Sequence, residues 1–309
     1  MTRRASLFVL VLTALALAAP LLAPYDAGLG FREFLHAPPM RPHLQGFAAP
    51  VVHPLVLADR LEQRFEADQT RTIPLPWFGG KSDQPVFLLG ADNFGRDVLS
   101  RLLYGARTSI GLALFATVGA VLIGALAGAW AGLRGGWVDD AVMRVADFVL
   151  ILPVIYVVLV LRAVLPLVLP ASAVFLLVAW IFVAVGWPFV AKGVRAIVAA
   201  ERDREYVLAA RSLGAGPARI LMHHLIPACS GHLVVQATLL LPGFILAEAT
   251  LSFVGLGFPD PVASWGTMLA EAGNYNAVAR FPWTLAPAVA IFAVVLATNL
   301  IASPDDRTT

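Results

Sequence analysis

Six stretches of the chain are apolar over lengths near the roughly 20 residues that a helix needs to cross a bilayer. They are residues 6–24, 109–133, 145–169, 171–191, 233–251 and 283–301. The segments between them are unequal. Residues 25–108 form a long polar stretch with prolines and aromatics, 134–144 are short, 192–232 are longer and basic, and 252–282 are nearly uncharged. The pattern predicts an all-α polytopic membrane protein with six transmembrane helices. Almost nothing separates the third and fourth runs, and Pro166 and Pro170 mark the turn of a helical hairpin there. Val98, Leu99, Leu102 and Leu103 share one face of an amphipathic helix ahead of the second run. Pro153, Pro188 and Pro242 lie within spans, where a kink would free carbonyls to line a cavity.

This reading divides the chain into a first transmembrane helix (1–24), an extracytoplasmic segment with the interfacial helix (25–108), a five-helix core (109–301) and a short cytosolic tail (302–309). The core includes a cytosolic loop at 192–232. Lys and Arg near span ends set the orientation. With the N-terminus inside, the inner segments hold Arg3, Arg4, Arg134, Arg144, Lys192, Arg195, Arg202, Arg204, Arg211, Arg219 and Arg307. Fewer cations lie near the outer span ends, so both termini are expected in the cytosol. Arg3 and Arg4 before an apolar run, with Ala16-Leu17-Ala18 after it, also fit a secretory signal. The run exceeds the usual signal core of about 7–15 residues, and an uncleaved first helix is the simpler reading. Residues 25–85 have balanced charge and many prolines, which predicts a small outer cap with little regular structure.

Composition narrows the function. Hydrophobic side chains make up 59% of the 309 residues and charged ones 14%, where a soluble protein carries about 25% charged residues. Mean hydropathy is +0.79. An ordinary cytosolic enzyme is thereby excluded. A net charge of +2 leaves no basic field to capture nucleic acid. A single cysteine, Cys229, excludes an intrachain disulfide and a cysteine-based metal cluster. Gly79-Gly80-Lys81-Ser82 ends like a phosphate-binding loop, but Leu75 stands where that loop needs its first Gly. No HExxH pair or GxSxG elbow occurs. Adjacent His223 and His224 would point about 100° apart on a helix and share a metal poorly. No catalytic residue, cofactor or metal is expected.

The stretch ERDREYVLAARSLGAGPARILMHHLIP, residues 201–227, reads as two short helices. Gly214 is placed to end the first in a left-handed conformation, and Pro217 suits the first turn of the second. Pro227 is expected to end the second helix near the next span. Tyr206, Val207, Ala210 and Leu213 form an apolar stripe with Arg202, Arg204 and Arg211 around it. Such a helix fits a partner's groove, and equally its own protein or lipid headgroups.

This stretch resembles the EAA loop of the membrane subunits of binding-protein-dependent ABC importers. Ala209, Ala210, Gly214 and Pro227 fall in register with that pattern, His224 and Ile226 stand at its Ile and Leu positions, and Leu208 replaces its Glu. The replacement removes one polar contact that the family's loop offers its ATPase. LGADNFGRDVLSRLLYGAR (89–107), RGGWVD (134–139), AEATLSFVGLG (247–257) and SWG (264–266) resemble the dipeptide, oligopeptide and nickel branch. The similarity covers roughly residues 86–300. The segment 25–85 is longer than in simple dipeptide permeases, and the tail lacks the family's Gly-Asp-x-x-Arg-Asp stretch.

The resemblance implies an inner-membrane permease subunit with type I importer architecture and no ATP site of its own. Its implied partners are a second related permease, two cytosolic ATPases, an extracytoplasmic substrate-binding protein and the bilayer. Glu205, Tyr206, Ala209, Ala210, Arg211, Gly214 and Pro227 would then couple to the ATPases, whose closure on ATP would open the path outward. Four polar residues lie at membrane depth: Asp147, Gln236, Glu248 and Asn299. Such groups usually face protein or a wet cavity. Gln236, Glu248 and Pro242 are candidates for the translocation path; Glu248 fits a hydrogen bond between helices as well. Asp147 is expected at the inner interface near Arg144. The alternative is a stand-alone ion-coupled transporter, which would show inverted repeats; no internal repeat is evident.

Overall fold

A computed structural model describes residues 7, 11, 14, 17–43, 50–60, 62–75, 84–164 and 169–302. Most of the first expected span, the turn at 79–82, Pro166 and the tail from 303 lie outside the described residues. Contacts divide the chain into two compact units. One comprises Met1–Leu7, Leu112–Ile245 and Val295–Thr309; the other comprises Phe8–Gly111 and Leu246–Val294.

Helices dominate the first unit. In order come α1 (Val98–Arg134), whose first turns belong to the second unit, α2 (Gly136–Ile151), α3 (Val154–Val164), α4 (Ala171–Glu201), α5 (Glu205–Ser212), α6 (Pro217–Ile220) and α7 (Ile226–Ala228). The helix α8 (Ser230–Phe253) follows, and the last helix enters the unit at Val295. The interfacial helix expected ahead of the second span is continuous with it: one 37-residue helix covers both. The third expected span is not one helix. Leu152 takes φ −74°, ψ 119°, because the ring of Pro153 drives the residue before it out of the helical region. The chain therefore breaks into α2 and α3 where a kink was expected. Pro188 and Pro242, by contrast, sit inside continuous helices.

Within this unit α1 and α4 meet backbone to backbone. A Cβ on Gly128 would lie 2.2 Å from the carbonyl oxygen of Ala191. Gly124 and Gly132, four residues to either side on the same face, leave similar room against Val190 and Val198. Without a hydrophobic drive between helices in lipid, close van der Waals approach of this kind holds spans together. Below this seam lies a buried cluster of Ala129, Val190, Val194, Val198, Val207, Ile220, Leu225 and Cys229. Two ion pairs tie α2 to α4. Arg195 donates from Nε to Asp139 Oδ1 at 2.9 Å. Lys192 pairs with Asp147, so Asp147 finds its partner across the helix pair rather than in the neighbouring Arg144.

The second unit holds the segment between the first expected span and α1, here called the cap. Its strands are β1 (Val51–Val52), β2 (Leu55–Asp59), β3 (Arg64–Ala67) and β4 (Ile73–Pro74). β1 pairs antiparallel with β4, and β2 with β3. Ala37, Met40, Val52, Leu55, Val86, Phe87 and Ala91 form its core. Phe31 and Phe34 pack on Phe87 with ring centroids 5.7 and 5.8 Å apart. Among its described residues the cap has only these short strands, packed around an aromatic centre. Tyr25 fastens it at both ends: its N–H donates to Ser100 Oγ at 3.0 Å and its hydroxyl accepts from the N–H of Val86 at 2.8 Å. The unit also contains α9 (Trp265–Glu271), α10 (Tyr275–Arg280), a 3-10 turn (Pro282–Leu285) and the start of α11 (Ala286–Ala302).

Candidate coupling and translocation residues

The loop between α4 and α8 is built as the sequence suggested at its first half. Gly214 takes φ 85°, a region that costs a residue with a Cβ steric strain. The N–H of Gly214 donates to Arg211 O at 2.9 Å and that of Ala215 to Ala210 O at 3.0 Å. This closes the C-terminus of α5 in a Schellman arrangement. Pro217 opens α6 from N1. The second half differs from expectation. Pro227 does not end the helix; a π turn at Leu221–Leu225 precedes it and α7 leads on toward α8. Proline has no N–H and its ring crowds the carbonyl four residues back, here that of His223. Widening the turn to the i→i+5 pattern, with Ile226 N–H donating to Leu221 O, lets the chain pass without breaking.

Of the expected apolar stripe only Val207 is fully buried, in the cluster with Ile220 and Leu225. Tyr206 is exposed, and Leu213 is 89% exposed. Glu205, Ala209, Arg211 and Gly214 are exposed too, while Ala210 is half-buried. The helix is thus pinned to its own protein through one side chain and offers a mixed apolar and cationic surface outward. Tyr206 stands over this surface, its hydroxyl donating to Glu201 Oε2 at 2.9 Å and its ring 6.0 Å from that of His224.

Among the membrane-depth residues, Gln236 is half-buried and Pro242 buried in the first unit. Glu248 belongs to the second unit and is 1% exposed. Ser109 Oγ donates to its Oε2 at 2.6 Å and Ser252 Oγ to its Oε1 at 2.7 Å. The N–H of Trp265 in turn donates to Ser109 Oγ at 3.1 Å, and its Nε1 to Leu102 O at 3.0 Å. One carboxylate therefore joins α1, α8 and the start of α9. Of the two roles open to Glu248, the hydrogen bond between helices is the one visible in this geometry.

A charged cluster in the second unit has no counterpart in the sequence reading. Arg96 is buried and donates from Nε to Asp92 Oδ2 at 2.6 Å, and its other nitrogens reach Asp260 Oδ1 at 2.9 Å and Glu271 Oε1 at 3.2 Å. Arg101, 1% exposed, lies 3.4 Å from Asp92 Oδ2. Asp97 caps α1 by accepting from the N–H and hydroxyl of Ser100 at 2.8 and 2.6 Å. Burial pushes its carboxyl up to about 6. Burial, with repulsion from Asp92, pushes Glu271 up to about 7. The four-residue spacing of Asp92 and Arg96 was a visible signal; their partners more than 160 residues away were not.

Comparison with known proteins identifies the family. Residues 120–303 match the family described as binding-protein-dependent transport system inner membrane component. The chain is 34% identical, over 96% of its length and 82% of the relative's, to a di/tripeptide transport system permease protein of Pseudomonas aeruginosa. It is 38% identical to an oligopeptide transport system permease protein of Bacillus subtilis over 63% of this chain and 62% of that one. Among solved structures it is similar to the MetNI methionine ABC transporter in inward-facing form, at 19% identity and TM-score 0.48, over 65% of this chain and 94% of that one. The chain belongs to the binding-protein-dependent inner-membrane component family and is the permease subunit of an ABC importer.

Proposed function

We propose that this chain forms half of the translocation pathway of an ATP-driven importer for peptides or a similar small solute. Its partners in this reading are a second related permease, two cytosolic ATPases and an extracytoplasmic binding protein. The chain itself carries no ATP site. Both termini are cytosolic, the chain crosses the membrane six times, and the cap faces the binding protein or the partner permease. Peptides are favoured because relatives 34% and 38% identical over the aligned residues are named for peptide transport.

The observation that carries the coupling role is the surface of α5. A soluble-facing helix with Leu213 89% exposed, beside exposed Tyr206 and Arg211, needs a partner to cover it. ATP-driven closure of the ATPases moves α5, and Val207 passes that motion to the buried cluster with Val194 and Val198 of α4. Gln236 and Pro242 border the path, and Glu248 holds the walls in place through its serines.

Two substitutions test this. Gly214→Val strains the left-handed turn that aims α5. Ala210→Asp sets a carboxylate where the ATPase approaches, at a cost of about 1–3 kcal/mol. Both should leave membrane insertion intact and abolish either ATPase co-purification or the stimulation of hydrolysis by loaded binding protein. Normal values for both mutants would refute the coupling role.

A further inference from the structure

Among the described residues, only His36 and Gln63 have positive φ without being glycine, at 51° and 52°. Elsewhere the described chain meets such turns with glycine, as at Gly90, Gly95 and Gly214. Strain of this kind persists where the surroundings hold it, and it gathers at ligand sites. The two residues come from different parts of the cap, one from the extended run ahead of the core and one from the turn between β2 and β3. They nevertheless line one open cavity of about 510 Å³, within the range of small-molecule sites. His36 Nδ1 and Gln63 Oε1 are buried and make no hydrogen bond among the described residues, so each offers a polar atom that a ligand would satisfy.

The remaining walls define the ligand's chemistry. Phe281 lies flat against the His36 ring, centroids 4.2 Å apart and planes 1° apart, and Trp283 continues this wall at 5.5 Å from Phe281. Arg64, Arg280 and Glu62 also line the cavity. Arg64 shares its guanidinium with Glu66 at 3.0 Å on the exposed side. Arg280 is exposed and has no ion-pair partner among the described residues. A free guanidinium, a second one partly engaged, a carboxylate and an aromatic wall suit a zwitterion with an apolar end. Burial lowers the His36 imidazole from its usual range, and Asp92 opposes that shift.

We propose that this cavity of the outer cap is a binding site for a short peptide held by its C-terminal residue. The carboxylate meets Arg280 and Arg64, the C-terminal side chain lies on Phe281 and Trp283, Gln63 Oε1 accepts a peptide N–H, and Glu62 meets the amino terminus. This rests on the peptide reading of the importer. It adds to that reading a site on the permease itself.

The test is calorimetric titration of the full-length chain in lipid nanodiscs with the dipeptide Ala-Phe and with its C-terminal amide. Saturable binding of Ala-Phe is expected, weakened about ten-fold or more by the amide or by Arg280→Gln. His36→Asn, which tolerates the left-handed backbone but removes the ring, should also weaken it, and Arg280→Lys should restore part of the loss. Equal binding of the acid and the amide, indifference to Arg280→Gln, or no binding by the wild-type chain would overturn the site. Uptake of Ala-Phe by cells carrying the whole importer separates the two readings. Uptake without binding to the chain defeats the site alone. Binding without uptake supports the site and defeats the peptide reading.

Discussion

Glu271 is held between cations and other acids, and its proton therefore responds to folding. Burial raises its carboxyl to about 7, Asp92 and Asp260 add repulsion, and Arg101 and Arg96 oppose it. An unfolded Glu titrates near about 4.3. A carboxyl raised on folding favours the folded state below its unfolded value and loses that contribution as pH climbs through its folded value. Thermal stability should thus fall between about pH 4.3 and 7, and Asp97, raised to about 6, should steepen the lower part of that fall. Glu271→Gln should flatten the change between about pH 4.3 and 7, whatever it does to the absolute melting temperature. An unchanged slope would show that Glu271 does not carry the dependence. At this scale the sequence was informative in part. Glu248 was recognisable as an acid at membrane depth, but Ser109 is 139 residues away from it, and no local pattern marks a long-range hydroxyl partner.

Elements were legible where local chemistry decides them. Gly214 and Pro217 announced a helix end and a helix start through properties of single residues, and both stand where expected. The π turn ahead of Pro227 was not legible, because a proline can end a helix or be absorbed by a wider turn, and packing of Leu221 and Leu225 into the core favours the second. The break at Pro153 is the opposite outcome of the same ambiguity. For α1 and α4 the seam of small residues yields a direct expectation. Gly128→Val would drive a side chain into the carbonyl of Ala191, forcing the spans apart at a cost of about 1–3 kcal/mol or more. Melting in detergent should shift downward accordingly, whereas Gly111→Val, where nothing lies within 4 Å of the added carbon, should shift it little. Equal shifts would mean that the seam is not a packing contact.

For the whole molecule, four helices are long and apolar enough to cross a membrane among the described residues: Val98–Arg134, Ala171–Glu201, Ser230–Phe253 and the run Pro282–Leu300. Hydropathy found these because bilayer thickness imposes their length. Family membership sets aside the stand-alone ion-coupled transporter. In the proposed mechanism the exposed face of α5 meets a cytosolic ATPase. Leu213→Cys tests it most directly, since the site is 89% exposed and the native Cys229 is buried, its thiol pushed up by desolvation. In membranes of cells producing the whole importer, a short thiol–amine cross-linker should join the introduced thiol to an ATPase subunit. The yield should change when ATP is added, and a membrane-impermeant thiol reagent applied from outside should leave the thiol unmodified. Labelling from outside, or the absence of any cross-link to an ATPase while the importer remains active, would contradict the account.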